Sequence, residues 1–167
     1  MARTHLTDLR GMADVYQIWN FDLFIDNIPG GGDGQAIAIV CKTTEHPGLQ
    51  IDQVTVGLHG AEVNYAGRQI YTKQFTATYV ETRDMVVTSA FRRWVEFARN
   101  MRENSGNYKS AYEARGRLVM YDDTASTVKE LTLVGLFPID VQAISLDGST
   151  SGAAEQSVSF SFDYHEE

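Results

Sequence analysis

The residues able to do chemistry are few, and their spacing keeps them apart. Of the four histidines, His5, His46, His59 and His165, no two lie two or four positions from one another, and there is one cysteine, Cys41. Zinc sites gather His and Cys at short, regular spacings, and metalloproteases carry HExxH on a helix; neither pattern is present. The sequence therefore predicts no metal site and no cofactor, and a lone thiol excludes an intrachain disulfide. The run "IPGGGDG" (28–34) has the glycines of a phosphate cradle but no lysine. Cradles lead from a strand into a helix, whereas this run reads as a hairpin turn between two strands. "GSTSG" (148–152) centres on Thr150 with no helical pattern after it, which is not a nucleophile elbow. Asp122 and Asp123 sit in "DDTAS", where aspartate favours a turn. No catalytic residue emerges, and the expected role is not enzymatic.

What the sequence does repeat is hydroxyl groups. In "QSVSFSFDY" (156–164), Val158, Phe160, Phe162 and Tyr164 alternate with Ser157, Ser159, Ser161 and Asp163. In "QFTATYVET" (74–82), Phe75, Ala77 and Tyr79 alternate with Gln74, Thr76 and Thr78. Period-two alternation places each set on one side of a strand. Such strands have an apolar core side and a small, polar, wettable side. A barrel closed from several copies could line a water-filled channel with that side and leave no open edge.

The other elements must position those strands. "NFDLFIDN" (20–27) and "QAIAIVCKTT" (35–44) read as strands on either side of the glycine turn, and "YEARGRLVMYDD" and "TVKELTLVG" as another pair. One amphipathic helix is expected over 86–103, with Phe91, Trp94, Val95, Ala98 and Met101 on its core stripe and Arg92, Arg93 and Arg99 off it. In "GLFP" (135–138) a strand should end at Gly135, because proline cannot donate to a ladder. Gly135, Phe137 and Pro138 then form a sheet corner. Residues 45–73 read as a long, turn-rich excursion containing a small hairpin. Its Leu49, Ile51, Val54, Val56, Leu58, Val63 and Tyr65 are too many apolar groups to leave in water. Residues 1–17 read as an N-terminal arm. The fold class is mainly β with one helix: a single domain, 1–167, built as an antiparallel sandwich or partial barrel.

Fourteen basic against 22 acidic residues give a net charge of −8. That argues against gripping nucleic acid, which calls for a basic patch, but not against a surface along which nucleic acid slides. No apolar run approaches the roughly 20 residues of a membrane span. The first residues lack the apolar core of a secretory signal.

Taken in order, "NFDLFID", "NYAGR" (64–68), "FRRWVEF" (91–97), "YKSAY" (108–112), "GLFP", "SLDG" (145–148) and "SVSFSFDY" (157–164) resemble the major tail tube protein of contractile-tailed bacteriophages. Tubes of phage-tail-like bacteriocins and the type VI secretion tube protein share that fold. The glycine turn and the long arm depart from the family pattern. The resemblance implies homo-hexameric rings, with part of each subunit's sheet joined to its neighbours in a closed barrel, stacked into a tube. The tube would conduct viral DNA and the tape-measure protein. Its partners would be sheath, baseplate or initiator, and terminator proteins. Its place would be the virion tail, after assembly in the host cytoplasm. Ser157, Ser159, Ser161, Asp163, Gln74, Thr76 and Thr78 are then lumen candidates, and the apolar residues of 45–73 are candidates for contacts between subunits and rings. A bacteriocin or type VI-like tube is one alternative, and a small ligand-binding β-sandwich is another.

Overall fold

A computed structural model of the chain describes residues 10–11 and 14–167; the remainder of the expected arm, residues 1–9, 12 and 13, lies outside the described residues. In chain order the elements are β1 (Phe21–Asp26), α1 (Gly34–Ile39), β2 (Cys41–Thr44), β3 (Leu49–Leu58), β4 (Ala61–Tyr71), β5 (Gln74–Val80), α2 (Val86–Ala98), β6 (Arg99–Asn100), β7 (Ser105–Gly106), α3 (Lys109–Tyr112), β8 (Ala114–Tyr121), β9 (Thr127–Val141), β10 (Glu155–Ser161) and β11 (Tyr164–Glu166). The fold is mainly β and antiparallel. A seven-stranded sheet runs β1-β8-β9-β10-β5-β2, with β11 added on β9. The pairs β3–β4 and β6–β7 stand apart from it.

The sheet folds on itself through β9. The part of this strand up to Leu136 pairs with β8, and residues 137–141 pair with β10. Between them, Leu133 faces Gly116 and Leu136 faces Ala114, so three steps on β9 match two on β8. This is a bulge, and Gly135 supplies its left-handed backbone with φ of +72°. The extra residue inverts the alternation: Leu131 and Leu133 are buried before it, Leu136 and Pro138 after it. The strand does not end at Gly135 as expected; it bends there and continues. Pro138 is tolerated because β9 has become an edge, paired on one side among the described residues, with Pro138 opposite Phe160. Phe137 is half-buried against the core, with its ring edge-on to Tyr112 at 5.5 Å.

Two layers enclose the core. Leu23, Ile25, Leu118, Leu131 and Leu133 come from one half of the sheet, and Phe75, Ala77, Tyr79, Val158 and Phe160 from the other. Helix α2 fills the opening with Val87, Phe91 and Trp94. Phe91 lies 5.2 Å from Tyr79 and 5.4 Å from Phe160, and Trp94 Nε1 donates to the Tyr112 carbonyl at 2.6 Å. The residue before α2, Met85, has φ of +53° and offers no side-chain cap. The Glu81 carboxylate does so instead, accepting from the Val87 and Thr88 backbone N–H groups at 3.1 and 2.8 Å.

Three further expectations need correction. The helix stops at Ala98, where Arg99 turns extended, so Met101 does not continue the stripe and is 93% exposed. Phe91 and Trp94 are fully buried, while Val95 and Ala98 are half-buried. The segment after the glycines is not a strand throughout. Asp33 accepts from Gln35 and Ala36 N–H at 3.0 and 3.4 Å and caps the short helix α1. A Cβ on Gly34 would run into the Ile25 carbonyl, so only glycine lets this turn sit against β1. The strand left over, β2, pairs with β5 and not with β1. Finally, Tyr164 is exposed and does not share the core side of β10. The chain leaves β10 at Ser161 and joins the other half of the sheet as β11.

Candidate functional site

The hydroxyl rows lie on one face. β10 and β5 are paired so that Ser157 faces Thr78, Ser159 faces Thr76 and Ser161 faces Gln74. Directly opposite residues in a ladder point to the same side. The hydroxyls bond across the strands: Thr78 Oγ1 to Ser157 Oγ at 3.0 Å and Thr76 Oγ1 to Ser159 Oγ at 3.3 Å. The reverse of both strands is core, with Val158, Phe160, Ala77 and Tyr79 at 0% exposure. Six of the seven lining candidates thus fall together.

Asp163 does not. Its backbone N–H bonds the Val134 carbonyl in the other half of the sheet, and its carboxylate pairs with Lys109 beside the Gly135 bulge. Period-two counting missed polar members of the face that the register supplies. Thr43 on β2 lies opposite Thr78, and Asp140 on β9 lies opposite Ser159. Lys42 and Glu155, at one end of the face, pair with each other. Glu45 caps the Thr76 N–H at 3.2 Å where β2 gives out.

This half of the sheet, β9-β10-β5-β2, has two edges unpaired among the described residues: residues 137–141 of β9 and all of β2. An open edge is a template for another chain unless it is blunted or covered.

Residues 45–73 carry a longer regular element than a turn-rich loop with a small hairpin. Strands β3 and β4 form one long hairpin that, among the described residues, pairs only with itself, and every residue of β3 is exposed. Its apolar side chains divide between two faces. Val54, Val56 and Leu58 oppose Tyr65, Val63 and Ala61 on one face of the tip. Leu49 and Ile51 sit at odd positions of β3 and so point to the other face, nearer the base. A bulge separates the two regions, with Gln53 opposite Ala66 and Ile51 opposite Gln69. A Cβ on Gly67 would come within 3.0 Å of the Asp52 carbonyl, so the bulge is packed tightly.

Other reactive groups are structural. Burial, with the Asp22 charge as a smaller cause, pushes the Cys41 thiol up to about 12, so it is not a nucleophile at neutral pH. Asp122 and Asp147 accept hydrogen bonds from the Thr124 and Ser149 hydroxyls of their own turns, which lower both carboxyls. Among the described residues no cluster of His, Cys, Asp or Glu is arranged to hold a metal ion, and no helix is long and apolar enough to cross a membrane.

The chain matches the family model described as phage tail tube protein over residues 20–167. It is 26% identical over 136 residues to tail tube protein gp19 of Enterobacteria phage T4, covering 80% of this chain and 83% of that one; gp19 of Enterobacteria phage T6 matches to the same extent. The fold is similar to a chain of the sheath–tube complex of an extracellular contractile injection system, PVC, in its extended state. That match has a TM-score of 0.65 and 11% identity, over 98% of this chain and 97% of the other. A chain of the anti-feeding prophage tube-terminating cap matches with a TM-score of 0.65 and 11% identity, over 97% of each. Together with the two-layer β fold, the match over most of the sequence settles the family: the chain belongs to the phage tail tube proteins.

Proposed function

We propose that the protein is the repeating, non-catalytic subunit of a contractile tail tube, and that its hydroxyl face lines the bore. The observation that carries this reading is the four-stranded half-sheet, polar on one side, core on the other and unpaired at both edges among the described residues. Joining residues 137–141 of one copy to β2 of the next uses both edges at once. Six copies of four strands give a barrel roughly 40–50 Å across at the backbone, from strand spacing and tilt. Such a bore admits a DNA duplex and the tape-measure protein.

The β3–β4 hairpin makes the contacts between subunits and between rings. Its tip and base expose apolar groups in opposite directions, which suits contact with two different neighbours. The exposed side of α2 carries Arg92 and Arg93, and Arg99 follows just past its end; none of the three has an ion pair among the described residues, and this surface is the proposed sheath contact. The solved relatives belong to assemblies with a sheath, a terminating cap and a baseplate. By analogy this tube joins sheath, initiator and terminator proteins in a virion tail, built in the host cytoplasm.

Electron microscopy of the purified protein tests the reading, with a Val54→Asp, Val56→Asp double variant as partner. Rings or tubes from the native chain, and a folded subunit that fails to stack from the variant, are expected. Native protein that stays monomeric at every concentration, even with an initiator present, refutes the assignment.

A further inference from the structure

The hydroxyl face is almost free of charge at its centre. Gln74, Thr76, Thr78, Thr43, Ser157, Ser159 and Ser161 carry none. Each of the two hydroxyl pairs directs one of its two protons to the other member, which leaves fewer donors for a passing phosphate. Lys42 and Glu155 cancel. Glu45 accepts a hydrogen bond from the Thr76 backbone N–H at the end of β2 and keeps its charge. Asp163, the carboxylate that simple alternation assigns to this row, is engaged by Lys109 elsewhere. Two carboxylates by the face have no ion pair among the described residues: Glu45, held at the end of β2 by Thr76, and Asp140, exposed and directly opposite Ser159. Arg92 borders the same shallow depression as Asp140 but makes no ion pair with it.

Building on the tube assignment, we propose that Asp140 sets the electrostatic potential of the bore. Each ring then carries a circle of Asp140 carboxylates, one per subunit, among neutral hydroxyls, with the paired Lys42 and Glu155 and the strand-end Glu45 at the margin of the face. A polyanionic cargo is kept off the wall by that circle and finds few hydrogen-bond donors between circles. Asp163 has no part in it.

A thiol introduced at position 159 reads the potential directly. In purified tubes carrying Ser159→Cys, the rates of modification by a cationic and an anionic methanethiosulfonate of similar size are compared. Native tubes, whose half-buried Cys41 is not ionised at neutral pH, serve as the blank. A full charge about 6 Å away in water changes each rate roughly threefold in opposite senses, so their ratio shifts about tenfold. Adding Asp140→Asn, or Asp140→Ser if the first variant assembles poorly, should lower the cation-to-anion ratio by that factor. Adding Asp163→Asn should change it less than about twofold. A ratio that ignores both Asp140 substitutions in intact tubes overturns the role of Asp140 and leaves the tube reading standing. A thiol reagent too bulky for the bore that nevertheless labels the introduced thiol along intact tubes puts the face outside, and the bore-lining assignment of the hydroxyl face falls together with the role of Asp140.

Discussion

Helix α2 closes the core, yet its first turn is held by a residue outside it. Glu81 Oε1 accepts from the N–H groups of Thr82 and Val87, and Oε2 from the N–H and hydroxyl of Thr88. Val87 and Thr88 are both buried, so water replaces these bonds poorly. Glu81→Ala leaves two helix N–H groups without an acceptor, at about 1 kcal/mol each. The Thr88 hydroxyl has a second acceptor in Gln156 Oε1 at 3.1 Å and adds little to the loss. The expected destabilisation is about 2 kcal/mol, a fall in Tm of about 4–8 °C for a chain of this size. Glu81→Gln keeps one acceptor oxygen and loses the charge, for about 1 kcal/mol. Partial burial raises the Glu81 carboxyl, but the hydrogen bonds from Thr88, Thr82 and Val87 outweigh it and hold the group below its ordinary value. A depressed carboxylate contributes stability that is complete above its unfolded pKa and lost as pH falls through the folded one. The gap between native protein and Glu81→Ala should therefore be full at neutral pH and shrink in acid, once the native carboxyl is itself protonated. Urea unfolding of the unassembled subunit at neutral and acid pH measures it. A gap below about 0.3 kcal/mol, or one that does not change with pH, refutes the capping argument.

Three other substitutions test the fold. Trp94→Phe removes the Nε1 bond to the Tyr112 carbonyl and leaves a void beside Phe91, and should cost about 2–4 kcal/mol by chemical denaturation. Gly135→Ala must hold a left-handed backbone and push its Cβ into the Asp163 carboxylate, for about 1–3 kcal/mol; in an Asp163→Ala background the cost should fall to the backbone part alone. Met101→Ser should stay within about 0.5 kcal/mol of native stability, because the side chain lies outside the core; a loss above about 2 kcal/mol would restore it to the helix stripe.

Much of the fold was legible because one side of each main strand is buried. Burial forces the period-two pattern, and the pattern shows in Val158, Phe160 and Phe162 against the serines. The helix was legible for the same reason, through Phe91 and Trp94 at a spacing of three. What failed were boundaries that depend on local chemistry. Asp33 could close a turn or cap a helix, and "QAIAIV" is apolar enough for either. Helix α2 ends where Arg99 adopts an extended backbone, and nothing in "ARNMRE" announces it. The β3–β4 hairpin was under-read because both of its faces meet water in the isolated subunit. With no core on either side, nothing imposes a period on its apolar residues.

The choice between Asp163 and Asp140 turns on counting. Alternation assumes that every residue advances the strand by one step. In β9 that assumption fails twice. The bulge at Gly135 moves the buried positions from odd to even, and the register shift around Ile139 moves them back, so that Val141 faces Val158 and Asp140 faces Ser159. In the last strand the failure is of another kind. Phe162 N–H bonds the Lys73 carbonyl and Asp163 N–H bonds the Val134 carbonyl, so the chain changes partners between those two residues. Asp163 keeps its parity with the serines but leaves their sheet. An inserted residue or a change of partner has no periodic signature, and a carboxylate next to one can be assigned to a face only after the ladder around it is known. Both aspartates stand beside such breaks, which is why the sequence pattern selected one and the hydrogen-bond register selects the other.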